Sequence, residues 1–219
     1  MTVTSRSYDQ FCGVARALDL VGERWALLIV RDLVLGPKRF TDLRRGLAGI
    51  GTNVLAARLK ELERAGVVQR RLLPPPAASS VYELTEYGRD VEGPLLALGR
   101  WGAKSLGARE PWQALRSEWL AVALKAFFRP EATAGLRATV ALRFDDAAFR
   151  ARIDDGSLAI EESTEDSADL TLSTDVETLI GYLAGAGVPV AALAAEGDTA
   201  LLERLPEIFA FGLSNGSPA

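Results

Sequence analysis

Seven side chains between positions 39 and 71 have the types and spacing to hold and read a polyanion: Arg39, Arg44, Arg45, Asn53, Lys60, Arg70 and Arg71. Arginine and lysine neutralise phosphates and also reach guanine edges. Asparagine offers adenine a donor and an acceptor together, and apolar side chains can touch the thymine methyl. This is the chemistry of recognition, not of bond breaking. The chain has no histidine, which excludes Ser-His-Asp and Cys-His catalysis and histidine-bearing metal sites. A single cysteine, Cys12, excludes an internal disulfide and a thiolate metal cage. No phosphate loop or nucleophile motif occurs. Neither an enzyme, nor a metal site, nor a cofactor is expected.

Charge is distributed to match. Residues 1–109 hold 17 Lys+Arg against 11 Asp+Glu, a balance of +6, and residues 110–219 hold 8 against 18, a balance of −10. Two domains with different partners are predicted, 1–109 and 110–219, and only the first suits double-stranded DNA. There is no 18-residue apolar run and no basic-then-apolar leader. The expectation is a cytoplasmic protein without a membrane span.

The cations need elements to position them. Apolar periodicity predicts helices over 12–22, 24–36, 39–49 with Thr41 as N-cap, and 51–66 with Thr52 as N-cap. A hairpin follows (67–73 and 80–84, flanking a Pro/Ala/Ser tip), then a helix over 86–107 that Pro94 and its glycines could bend. On a wheel for 51–66, Leu55, Leu59 and Leu62 share one stripe, while Asn53, Ala57, Lys60 and Arg64 lie opposite. Helix, short Gly-rich turn, helix and hairpin is the winged helix-turn-helix plan.

The stretches "DLVGERWALLIVRDLVLGPKRFTDLRRGLAGIGTNVLAARLKELERAGVVQRR" (19–71) and "VYELTEYGRD" (81–90) resemble the HxlR family of bacterial transcription factors, relatives of the MarR group. The resemblance covers about half the chain. It implies a homodimer held by the first and last helices of this half, bound to an inverted-repeat operator. Thr52, Asn53, Ala56 and Lys60 would face bases, Arg39, Thr41 and Arg44 would contact backbone, and the wing carrying Arg70 and Arg71 would approach the minor groove. The Ala56-Ala57 pair offers few polar base contacts, so DNA shape would share in specificity. Cys12 matches a cysteine that many members carry near the first helix. It reads either as a small buried residue of a dimer helix or as a redox-sensing thiol, the latter requiring exposure and a low pKa.

The C-terminal half reads as a helix (111–128, with Trp112, Leu115, Trp119 and Val122 near one face) and four strands (136–146, 147–156, 157–163, 168–175). Three helices follow (175–187, 189–198, 199–212). The fold class expected is α+β, a meandering antiparallel sheet with helices. The "DLTLSTD" step and the late "EGD" resemble the sterol-carrier-protein type of lipid-binding fold, which implies an apolar cavity for a small hydrophobic ligand. Trp119, Phe127, Phe128, Phe144, Phe149, Tyr182, Phe209 and Phe211 are candidate lining residues, and each also fits plain core. The acidic pairs at 145–146, 154–155 and 161–162 read as solvated turns and strand faces, without EF-hand spacing. A regulator with a ligand-sensing C-terminal domain is the leading reading. A thiol-sensing regulator whose C-terminal domain only strengthens the dimer is the alternative.

Overall fold

The structure is a computed structural model and describes residues 7–75, 78–165 and 167–211. It forms two compact units, Met1–Leu95 and Leu96–Ala219. They divide within a helix, ahead of the 109/110 charge break.

The first unit contains α1 (Gly13–Val21), α2 (Ala26–Leu33), β1 (Lys38–Arg39), α3 (Phe40–Gly46), α4 (Thr52–Arg64), β2 (Val68–Leu72), β3 (Ser80–Leu84) and α5 (Glu86–Arg89). Helix α6 (Glu92–Ala103) crosses the division. Apolar residues at helical spacing build one core: Ile29 and Leu33 of α2, Leu43 of α3, and Leu55, Leu59 and Leu62 of α4, closed by Val68 and Leu84 of the hairpin. Each side chain of this size contributes about 1.5–3 kcal/mol on full burial. The expected 86–107 helix is broken. Asp90 ends α5 and α6 restarts at Glu92, so the break precedes Pro94. Strand β1 is an addition to the expected hairpin: it pairs antiparallel with β3 (Lys38 opposite Tyr82, Arg39 opposite Val81), giving the order β1-β3-β2. Two residues are too short to show a period-2 pattern.

In "VYELTEYG", Thr85 caps α5, its Oγ1 accepting from the Gly88 N–H at 2.9 Å. Its own N–H donates to the Val67 carbonyl at 3.1 Å, tying hairpin to helix. Gly88 is required by this approach, because a Cβ there would stand 1.9 Å from the Val67 oxygen.

The second unit comprises α7 (Ser117–Phe127), β4 (Arg137–Arg143), β5 (Ala148–Asp154), β6 (Ser157–Glu162), β7 (Leu170–Ser173), α8 (Val176–Leu183), β8 (Ala195–Gly197) and α9 (Thr199–Ile208). All four expected strands form, but the sheet is mixed, with order β6-β5-β4-β7-β8. It is not an antiparallel meander, since β7 lies parallel to β4, Val140 opposite Leu170. Burial explains the topology. Val140, Ala141 and Leu142 make β4 a central strand needing a partner on each edge, whereas β6 has only Ile160 buried and suits an edge.

The chain departs from the expected helices at two further places. Helix α7 begins at Ser117, leaving Trp112 and Leu115 outside it and exposed. Residues 189–198 form not a helix but a 3-10 turn (Val190–Leu193) and then β8. Ala194 turns left-handed (φ +39) and β8 supplies the edge partner of β7, so pairing overrides alanine's helical propensity. Gly197 permits that pairing: a Cβ there would lie 2.2 Å from the Asp169 carbonyl oxygen. Asp198 then caps α9, accepting from the N–H groups of Ala200 and Leu201. Asp175 likewise caps α8 at the "STD" step. The "EGD" segment is thus a strand end, a close approach and a cap in succession.

Candidate nucleic-acid interface

Helix α4 is oriented by its leucines. Leu55, Leu59 and Leu62 are essentially fully buried, which turns Thr52, Asn53, Ala56, Ala57, Lys60 and Arg64 to solvent. Its first turn is anchored by the preceding tight turn. Leu47 and Ile50 are buried, the Ile50 N–H donates to the Leu47 carbonyl at 3.0 Å, and Gly49 takes φ +88. Helix α3 is set by the same core through Leu43, leaving Thr41, Arg44 and Arg45 exposed.

All ten sequence-derived candidates are exposed on β1, α3, α4 and the hairpin, but their local roles differ from expectation. Thr41 and Thr52 are not caps. Arg39 occupies the cap position of α3, its N–H donating to Asp42 Oδ2 at 3.3 Å, and Gly51 that of α4. Both threonines therefore lie in the first turn of their helices. Arg45 is 3.6 Å from Asp42. Arg70 and Arg71 leave β2 on opposite faces, as period-2 geometry demands. Arg71 is engaged by Glu83 at 2.9 Å, and Arg70 donates to Ser80. Burial pushes the Glu83 carboxyl up. Hydrogen bonds from Gln69 and Arg71, with the charges of Arg71 and Arg89, outweigh it and hold the group below its ordinary value. Among the described residues, Arg39, Arg44, Lys60, Arg64 and Arg70 make no ion pair with a carboxylate.

Two residues of α4 escaped the sequence reading. Val54 is 42% exposed in the first turn beside Asn53. An apolar group there can touch a thymine methyl, and its signal was a β-branched residue lying off the leucine stripe. Arg58 turns inward toward Glu23 of the α1–α2 connection (3.3 Å) and Glu61. No spacing rule announces a partner 35 positions away.

Cys12 is exposed in this chain, not buried. It occupies the N-cap of α1. The backbone N–H groups of Ala15 and then Val14 lie toward its sulfur without closing an aligned cap hydrogen bond, and they lower the thiol's pKa below its ordinary value.

In the second unit the candidate lining aromatics mostly pack on one another. Ring centroids are 4.8 Å apart for Phe127 and Phe211, 6.0 Å for Phe128 and Phe209, and 6.3 Å for Phe144 and Phe149. The Tyr182 hydroxyl donates to the Leu202 carbonyl at 3.0 Å, and Trp119 is half-buried. An apolar void of about 10 Å³ lies between the sheet and its helices, and Phe209 is the one candidate that lines it. Its volume is about that of a single water-sized sphere. Among the described residues no cluster of metal-binding side chains occurs, and no helix is long and apolar enough to cross a membrane.

The family model for the HxlR-like helix-turn-helix matches residues 20–110. The HTH-type transcriptional regulator YdeP of Bacillus subtilis is 36% identical over 100 residues, 45% of this chain and 78% of that protein. The HTH-type transcriptional regulator YodB of the same organism is 38% identical over 85 residues, 39% of this chain and 76% of its own. A solved structure of the redox regulator HypR in its oxidized form is 32% identical, with 45% of this chain and 99% of that one covered at a TM-score of 0.40.

Proposed function

Since this chain belongs to the HxlR-like helix-turn-helix family of transcriptional regulators, we propose that it binds an inverted-repeat operator as a homodimer, one α4 helix entering the major groove of each half-site. The observation that carries this reading is the outward face of α4. Asn53, Val54 and Lys60 are exposed there above a fully buried leucine stripe, with Arg39, Arg44 and Arg70 available for phosphates. Arg71 serves the wing itself through Glu83. Dimerisation is supported by apolar surface that a lone chain leaves in water. Phe11, Val14 and Leu18 are exposed on and before α1, and α6 buries no residue and presents Leu98 and Trp101. The test is footprinting of the full chain on the DNA flanking its own gene. Protection of a symmetric site that Lys60→Ala weakens supports the reading, and no protection of any flanking sequence overturns it.

The Leu96–Ala219 unit we assign to effector sensing, with a small apolar ligand between sheet and helices, as its sterol-carrier-like sequence pattern suggests. A void of about 10 Å³ means that such a ligand must part α8 and α9 from the sheet. Ligand must then favour one DNA-binding state over the other. A second reading, thiol sensing, is favoured by the exposed, acidified Cys12. Loss of DNA binding on Cys12 alkylation, absent in Cys12→Ser, would select it.

A further inference from the structure

Arg150 is 8% exposed in the middle of β5. Its neighbours Phe149 and Ala151 are buried, and Ala151 lines the void beneath the helices, so strand alternation places Arg150 on the opposite sheet face. One row crosses that face in register: Glu161 on β6, Arg150 on β5, Ala141 on β4 and Thr171 on β7. Glu161, the direct cross-strand neighbour, is taken by Arg152. Ala141 offers only a methyl.

Among the described residues, two buried guanidinium nitrogens of Arg150, Nε and Nη2, have no hydrogen-bond partner. Glu165 Oε2 stands 3.0 Å from Nη2, an ion pair by distance but without the alignment of a hydrogen bond, and Glu165 is 73% exposed in its side chain. Buried cationic donors left unmet are costly, and native structures rarely leave them so. The N–H bonds of Nε and Nη2 run parallel along one edge of the guanidinium, the fork that accepts both oxygens of a carboxylate.

We propose that Arg150 anchors a binding site for a small organic carboxylate, which displaces Glu165 and accepts from Nε and Nη2 together. Glu165, largely exposed, already sets one carboxylate oxygen within ion-pair distance of Nη2, so it is the group that a ligand carboxylate would replace. The site lies on the sheet face away from the apolar void and is independent of any apolar ligand there.

The test is NMR of the arginine Nε–H signals of the full chain during titration with sodium acetate and with sodium benzoate, against sodium chloride and inorganic phosphate at equal ionic strength. The Arg150 signal, identified by its loss in Arg150→Lys, should shift saturably with a carboxylate and not with chloride or phosphate. Glu165→Gln, which removes the internal competitor, should tighten carboxylate binding about tenfold or more. No shift with either carboxylate in both the native chain and Glu165→Gln overturns the proposal, as does an equal response to chloride or phosphate. Should Arg150→Lys not fold, the Nε–H signal whose carboxylate response tightens in Glu165→Gln identifies Arg150, and the absence of any such signal overturns the proposal. No DNA enters the readout, so its failure is distinct from failure of operator binding.

Discussion

Gly88→Ala is the substitution whose cost the first unit states most directly. The added Cβ would stand 1.9 Å from the Val67 carbonyl oxygen, whereas real Cβ contacts stay above 3.0 Å, so α5 and the foot of the hairpin must part by at least 1.1 Å. The obstacle is backbone and cannot rotate away. Parting strains two hydrogen bonds, Thr85 N–H to Val67 and Gly88 N–H to Thr85 Oγ1, each worth about 1 kcal/mol. Overpacking adds about 1–3 kcal/mol. A loss of about 3 kcal/mol follows, which for a unit of this size lowers its melting temperature by roughly 12–24 °C. Gly93→Ala is the matched control. Its Cβ meets nothing within 4 Å in the first turn of α6, and helix propensity predicts a gain of up to about 1 kcal/mol. Thermal unfolding followed by circular dichroism reads both. A Gly88→Ala protein melting within about 3 °C of the native chain would refute the close approach.

Arg44→Ala should weaken DNA binding about equally for operator and unrelated sequence. Two lost contacts per dimer should reduce the slope of log K against log salt by about 1.8, and an unchanged slope would remove Arg44 from the phosphate contacts. Cys12, with its thiol acidified by the Ala15 and Val14 N–H groups, should be alkylated at a rate that rises with pH through a midpoint below the free-cysteine value of about 8.5. A midpoint at or above that value contradicts the assignment. At Asp175, hydrogen bonds from the Thr178 hydroxyl and then its N–H hold the carboxyl below its ordinary value. The stability it contributes is thus present above its unfolded pKa of about 3.9 and lost as pH falls through the lower folded value. Asp175→Ala should cost about 1 kcal/mol at pH 7 in denaturant unfolding and less near pH 3, and equal costs at both pH values would contradict the cap.

What the sequence made legible was periodic. The leucine stripe of α4 and the two strands of the hairpin carry local signatures, and the structure places them where spacing implies. Departures arise where distant partners decide. Residues 189–198 have alanine's helical propensity, but β7 needed an edge partner, Ala194 made the turn and Gly197 permitted the close pairing. Strand β7 reads as the next strand of a meander until the burial of β4 on both edges calls it across. Arg71 looks like a phosphate contact by position, yet Glu83 lies 12 residues along the chain on the same face of the ladder. Gly88 belongs to a matching stretch whose reason, the Val67 oxygen, is visible only in three dimensions.

The central claim, that the exposed face of α4 reads a symmetric DNA site, is tested most directly by selecting binding sites for the full chain from random duplex DNA. The account predicts enrichment of a two-fold-symmetric sequence whose half-sites are about one helical turn, roughly 10 base pairs, apart, with the preference relaxed at specific positions in Asn53→Ala and Lys60→Ala. Recovery of no sequence above the input, or of the same sequence with undiminished preference by both variants, would contradict it.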